Sequence, residues 1–203
     1  MKIICIGRNY AAHAKELNNP VPIEPVIFLK PDTALLPKNM PFFYPSFSKD
    51  VHYEAELVVK IDRVGKNISK KFAHKYYSEL SVGIDFTARD LQTKYKEKGL
   101  PWEKAKAFDG SAPVGKFISK ESFANKEYLD FSLKVNGETR QHGNTADMLF
   151  SIDAIIEYVS QFFTLKIGDL IFTGTPEGVG PIAINDSFEA FLEDEKVLDL
   201  KIK

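Results

Sequence analysis

The sequence predicts an α+β fold built on curved, mostly antiparallel or mixed sheet. Three patterns point there. Strand-like segments dominate, helices do not alternate with them in the order a doubly wound parallel sheet needs, and Pro31, Pro37, Pro41 and Pro45 forbid regular helix or central strand over one long stretch. The 203 residues suffice for one sizeable core. No repeat, low-complexity tract or Ser/Gly linker divides them, so a single domain over 1–203 is expected.

The elements follow in order. Residues 2–6 read as a strand, and YAAHAKELN (10–18) as a short helix rich in Ala, Leu, Lys and Glu, ended by Pro20, Pro22 and Pro25. VIFLK (26–30) is a strand, and the Pro-rich segment after it wraps rather than packs. In VHYEAELVVKI (51–61), apolar side chains alternate with His52, Glu54, Glu56 and Lys60, the pattern of a half-buried strand. SVGIDF (81–86) is short and apolar enough for a buried strand. Thr87-Ala88-Arg89-Asp90 has capping-box spacing with Asp in the acidic position, so a helix should start there and run through about Lys98 to stop at Gly99 before Pro101. Asn136-Gly137 between two alternating segments marks a tight hairpin. Ser151 caps an amphipathic helix to about Phe163, with Ile152, Ile155, Ile156, Val159 and Phe162 on its apolar stripe. DLIFTGTPEGVG (169–180) is a buried strand entering a Gly-rich turn, and 188–192 and 197–203 are closing strands.

Composition excludes several classes. Lys plus Arg (27) nearly cancels Asp plus Glu (28), whereas a nucleic-acid surface needs clustered basic excess. The single Cys5 permits no intrachain disulfide and fits a reducing compartment. No apolar run approaches the roughly 20 residues of a membrane span. A cytoplasmic protein with no nucleic-acid or membrane partner is the expectation.

A few residues could carry chemistry. Glu54 and Glu56 stand two apart, roughly 7 Å along a strand, and either face water or lean together onto one ion. Asp85 interrupts an apolar strand just before a helix, and a carboxylate there needs a partner: nearby backbone, Arg89, or an ion. Together the three make a hard, all-oxygen ligand set that suits Mg²⁺, with Mn²⁺ second, and disfavours zinc. His13 and Glu16 share one helix face, as a general base with its orienting carboxylate or as a surface pair. TGTPEGVG (173–180) lacks the Gly-Lys-Ser/Thr of a Walker A loop. Its glycines allow close approach of backbone amides to an anion, or merely a strand connection. Lys106 alone would be an ordinary surface lysine.

The blocks GRNYAAHAKE, FLKP, HYEAEL, GIDFTARDLQ, GLPWEKAKAFDGSAPVG, LKVNGETRQ and GDLIFTGTPEGVG occur in this order from about residue 3 to the C-terminus. Together they resemble the fumarylacetoacetate hydrolase (FAH) family, nearest to its short acylpyruvases and oxaloacetate decarboxylases. The resemblance implies a β-rich roll of curved mixed sheets with a few short helices, usually a homodimer. It implies metal ligands at Glu54, Glu56 and Asp85, and a catalytic pair His13 and Glu16 on a helix within a mobile lid of residues 8–20. It also implies an active-site lysine at Lys106 and substrate-pocket positions at Arg8, Lys30, Arg89, Gln92 and Thr175. The implied activity is Mg²⁺-dependent (Mn²⁺ as alternative) cleavage of a carbon-carbon bond in acylpyruvates, or decarboxylation of oxaloacetate, through a pyruvate enolate at the metal. The substrate is then a small 2-oxo acid. An isomerase or decarboxylase of dienedioates and a non-catalytic oxo-acid-binding protein of the same fold are the alternatives. The segments around Ser111 and Ala112 and from Asn18 to Glu24 vary widely among relatives, so the group at the far end of the substrate stays open.

Overall fold

The computed structural model describes residues 1–16 and 20–203. The chain opens with β1 (Ile3–Gly7), whose IICI run is wholly buried, and α1 (Ala11–Glu16). The helix expected over 10–18 thus ends at Glu16, while Leu17 and Asn18, and Asn19 of the expected lid, lie outside the described residues. β2 (Val26–Lys30) follows, and the Pro-rich segment wraps as expected, with only a single 3₁₀ turn at Asp32–Ala34.

The strand expected over 51–61 is two strands. β3 (Val51–Tyr53) and β4 (Ala55–Ile61) part at Glu54 because the chain changes sheets there. After α2 (Lys70–Ala73) comes β5 (Tyr77–Ile84), longer than its apolar core suggests, and then the short β6 (Thr87–Ala88). α3 (Arg89–Lys98) ends on Gly99 in the left-handed conformation, φ 62°, as the sequence predicts. Its expected capping box does not form. Ala88, whose methyl can accept no hydrogen bond, is the cap residue, and the Thr87 hydroxyl donates to the Asp85 carbonyl at 3.2 Å instead of capping the helix.

The one-turn α4 (Glu103–Lys106) leads to β7 (Ile118–Ser119). β8 (Asp130–Val135) and β9 (Glu138–Asn144) form the expected hairpin, with Asn136 and Gly137 at φ 54° and 83°. α5 (Ile152–Phe162) has its Ser151 cap, whose hydroxyl accepts from the Ala154 N–H at 3.4 Å. Ile155, Ile156 and Val159 are buried, whereas Phe162, expected on the same stripe, is exposed. β10 (Leu170–Phe172), β11 (Gly180–Pro181), β12 (Ser187–Leu192) and β13 (Glu195–Lys201) complete the chain.

These strands make a six-stranded sheet in the order β2-β1-β10-β4-β5-β7, a three-stranded sheet β11-β3-β6, and a four-stranded sheet β13-β12-β8-β9. Only β1 and β10 pair in parallel among the named strands, so the fold is α+β with mixed, mainly antiparallel sheets, as predicted. The four-stranded sheet packs against β4 and β5. Between the sheets lie aromatic contacts such as Phe86 with Phe188 and Tyr53 with Phe188. Cys5 is fully buried in the core. No helix among the described residues is long and apolar enough to cross a membrane.

Candidate active site

The break between β3 and β4 makes the site. β3 pairs with β6 and β11, whereas β4 pairs with β5 and β10. The residues at the junction therefore leave simple alternation. Glu54 and Glu56 are both buried, at 5% and 2% exposure, which rules out the solvated strand face. Asp85 follows the end of β5, where its backbone N–H donates to the Glu54 carbonyl at 2.8 Å. One oxygen from each of the three carboxylates lies within 4.8 Å of the others.

Three buried negative charges are costly unless compensated, and three cations surround them. The Lys106 ammonium donates to Glu54 Oε2 at 2.8 Å, Asp85 Oδ2 at 2.6 Å and Thr87 Oγ1 at 2.5 Å. Arg89 donates to Glu54 Oε1 at 2.5 Å and to Gln92 Oε1 at 2.6 Å. Lys30 stands 2.7 Å from Asp85 Oδ1 without aligning a hydrogen bond, because its ammonium is aimed at the Ser111 carbonyl and hydroxyl.

Compensation is uneven. Burial pushes the Glu54 carboxyl up, but Lys106 and Arg89 outweigh it and hold Glu54 far below the usual carboxylate range. Glu56 goes the other way: burial, Asp85 and Glu54 push it well up against the opposing Gly174 N–H, donating at 2.6 Å, and Lys106. Burial lowers the Lys106 ammonium, yet Asp85 and Glu54 raise it overall.

The carboxylates open into a pocket walled by Arg8, His13, Phe28, Arg89, Gln92 and Trp102, with Lys96, Lys106 and Thr175 also lining it. Its free volume is only about 40 Å³. His13 is buried, and its Nδ1 lies 3.1 Å from Glu16 Oε2. Glu16 Oε1 in turn accepts from the Gly178 N–H at 3.0 Å, which ties α1 to the Gly-rich loop. Arg8 holds a left-handed backbone, φ 61°, a strained geometry that concentrates at functional sites. Of the expected site residues, all but Glu16, which meets the pocket through His13, and Lys30 line it. Lys30 lies behind Asp85, 1% exposed, and does not wall the pocket.

Three residues escaped the sequence reasoning. Lys96 sits seven positions after Arg89 and four after Gln92, on the same face of α3. Asn9, fully buried, braces the end of β1 by donating to the carbonyls of Phe150 and Thr173. Gln141, 1% exposed, bonds the Ala55 N–H between the two glutamates. Asn9 and Gln141 both stand inside the GRNYAAH and VNGETRQ blocks, the only signal that could have marked them.

The donor set fits a hard divalent cation. All three groups offer oxygen, none offers imidazole or thiolate, and Glu56 has no cationic side chain in hydrogen-bond contact among the described residues. The comparisons agree with the geometry. The family described as "Fumarylacetoacetate (FAA) hydrolase C-terminal" matches residues 2–203. The chain belongs to the FAH family. It is 47% identical over 201 residues, 99% of this chain and 91% of the relative, to the mitochondrial oxaloacetate tautomerase FAHD1 of Mus musculus. It is 47% identical over 186 residues to the oxaloacetate tautomerase YcgM of Escherichia coli (strain K12), covering 91% of this chain and 85% of that one. Among solved structures, the fumarylpyruvate hydrolase of Pseudomonas aeruginosa in complex with Mn²⁺ and pyruvate superposes with a TM-score of 0.92 at 37% identity, over 100% of this chain and 89% of that chain.

Proposed function

We propose that this FAH-family chain acts on oxaloacetate, interconverting its keto and enol forms with Mg²⁺ or Mn²⁺ held by Glu54, Glu56 and Asp85. The observation that carries the reading is the buried carboxylate trio facing the same pocket as His13, itself paired with Glu16, and the cationic side chains of Arg8, Arg89, Lys96 and Lys106. When bound, such an ion polarises the 2-oxo group and lowers the cost of placing negative charge on its oxygen.

The protein's own residues supply the rest. His13 Nδ1 is engaged with Glu16, which leaves Nε2 to take a proton from the carbon next to the keto group. The freed electron pair moves to the keto oxygen, where Lys106 and Arg89 offset the charge. Return of the proton to that oxygen gives the enol, and nothing leaves. Arg8 and Lys96 at the rim suit the far carboxylate of a dianion.

A second reading has its own support in the likeness to the fumarylpyruvate hydrolase. There the same His13 Nε2 would take a proton from water, which attacks the distal carbonyl of an acylpyruvate and breaks the carbon-carbon bond. Decarboxylation of oxaloacetate would use the same enolate without that water. A homodimer in a reducing compartment is proposed with either reading.

Ultraviolet absorbance follows enol loss from oxaloacetate, and pyruvate release follows cleavage of acetylpyruvate and fumarylpyruvate. Each is measured in Mg²⁺, in Mn²⁺ and in excess chelator. Faster enol–keto exchange that chelator removes and either ion restores is expected. Pyruvate release without accelerated exchange would move the assignment to the second reading, and inertness toward all three substrates would end both.

A further inference from the structure

Gln141 lies in an unlikely place for a buried amide. It belongs to β9, the edge strand of the four-stranded sheet, between the exposed Arg140 and His142. The pairing with β8 jumps from Leu133↔Gln141 to Lys134↔Thr139, so Arg140 is an extra residue, a bulge. The bulge breaks alternation: Glu138, Thr139 and Arg140 are all exposed, and Gln141 turns inward. Bulges re-aim side chains in this way, often beside active sites.

The inward amide makes three hydrogen bonds. Its Oε1 accepts from the Ala55 N–H at 2.9 Å, and its Nε2 donates to Thr175 Oγ1 at 2.8 Å and to the Pro176 carbonyl at 3.0 Å. Ala55 is the residue where the chain passes from β3 to β4, and it separates Glu54 from Glu56. Thr175 and Pro176 belong to the loop whose Gly174 N–H bonds Glu56 and whose Gly178 N–H bonds Glu16. That loop lies directly against β9, since a Cβ at Gly178 would sit 2.3 Å from the Arg140 carbonyl oxygen. One side chain therefore fastens the carboxylate-bearing strand break to the loop that orients both Glu56 and the His13–Glu16 pair.

We propose that Gln141 is a positioning residue: its amide holds the Glu54–Ala55–Glu56 junction against the Thr175–Pro176 loop, fixing the spacing of the cation ligands and of the pocket wall. Gln141 does not line the pocket, so it acts only through these partners. The inference rests on the assignment of Glu54, Glu56 and Asp85 as cation ligands. It adds a fourth residue, from a different sheet, on which their geometry depends.

Mn²⁺ binding to the chelator-treated protein, measured by calorimetric titration together with thermal unfolding, tests it. Gln141→Met keeps the volume and loses all three hydrogen bonds, so its Mn²⁺ dissociation constant should rise about 10- to 100-fold, the range for residues that orient ligands from behind. Gln141→Glu keeps the acceptor for the Ala55 N–H and should bind Mn²⁺ more tightly than Gln141→Met. Val135→Ala, a core truncation in the adjacent β8 strand, controls for simple destabilisation: it should lower the melting temperature and leave Mn²⁺ affinity within about threefold of wild type.

Wild-type affinity in Gln141→Met overturns the proposal, and so does an equal affinity loss in Val135→Ala. If Gln141→Met fails to fold, Gln141→Glu decides alone: folded protein with raised KM and an unchanged kcat supports positioning, and wild-type KM, kcat and Mn²⁺ affinity refute it. A wild-type protein that binds no Mn²⁺ removes the ligand assignment itself, which is a different failure from variants that all bind alike.

Discussion

His13 shows how a side chain of ordinary chemistry acquires a defined task. Its Nδ1 faces Glu16, Glu16 is held by the Gly178 N–H, and the ring is 5% exposed, so tautomer and direction are set together. Loss of a general base typically costs about 10²- to 10⁴-fold in rate. His13→Ala should lower kcat by that amount and leave Mn²⁺ affinity near wild type, because among the described residues the imidazole makes its hydrogen bond to Glu16 and none to Glu54, Glu56 or Asp85. Glu56→Ala should instead lose the ion. Steady-state kinetics and Mn²⁺ titration on both variants separate the roles, and wild-type turnover in His13→Ala would remove the dyad from the mechanism. The family blocks singled out His13, Glu16 and the carboxylates and implied a pocket position for Lys30, whose ammonium lies behind Asp85 instead; residue types and spacing alone left those roles open. Nor could they reveal Gln141, since a bulge of one residue inverts the facing of everything after it.

At the scale of elements, α3 is an arm of the site. Arg89, Gln92 and Lys96 recur at helical spacing and all line the pocket, while Leu91 and Tyr95 are half-buried and the remaining side chains of the helix are polar and exposed. Its C-terminal glycine was legible and its N-terminal cap was not, because the Thr87 hydroxyl is drawn to Asp85 and Lys106. The strand over 51–61 failed as one element for a related reason: alternation reports facing within a sheet and carries nothing about a strand that leaves one sheet for another at Glu54. Lys96 is exposed, and burial together with the nearby Arg8 and Arg89 charges lowers its ammonium below the usual lysine range. A second negative charge on the substrate relieves that repulsion. Exposed charge pairs contribute about 0.2–1 kcal/mol, so Lys96→Ala should raise KM for dianionic oxaloacetate by about two- to fivefold. KM for monoanionic acetylpyruvate should stay put, and the difference should fade in high salt. Equal KM changes for the two substrates would place Lys96 outside recognition of the far carboxylate.

The whole molecule gathers its ligands from separate places: Glu54 and Glu56 at a junction between two sheets, Asp85 past the end of β5. An ion bound there ties those parts together only when the chain is folded, so binding must appear as stability. A ligand at a hundred times its dissociation constant adds about 2.7 kcal/mol, and for a chain of this size that is roughly 5–10 °C in melting temperature. The pH dependence follows from the two glutamates. Glu56 has its folded value raised, so the ion-free fold loses stability as pH climbs from the ordinary 4.5 through that raised value. Glu54 has its value lowered, so its contribution is present above 4.5 and disappears only as pH falls through the depressed value. Above 4.5 the proton on Glu56 is therefore the competitor that an incoming cation must displace. The gain in melting temperature from Mn²⁺ should grow as pH rises above the ordinary carboxylate value of 4.5, with one proton released per ion bound wherever Glu56 is still protonated. Thermal scans with Mn²⁺ against chelator, and titration calorimetry in two buffers of different ionisation heat, measure both quantities. A stabilisation that is flat across that range, with no proton released, would mean that Glu56 already stands ionised and that the imbalance of charge at the sheet junction is not what draws the cation in.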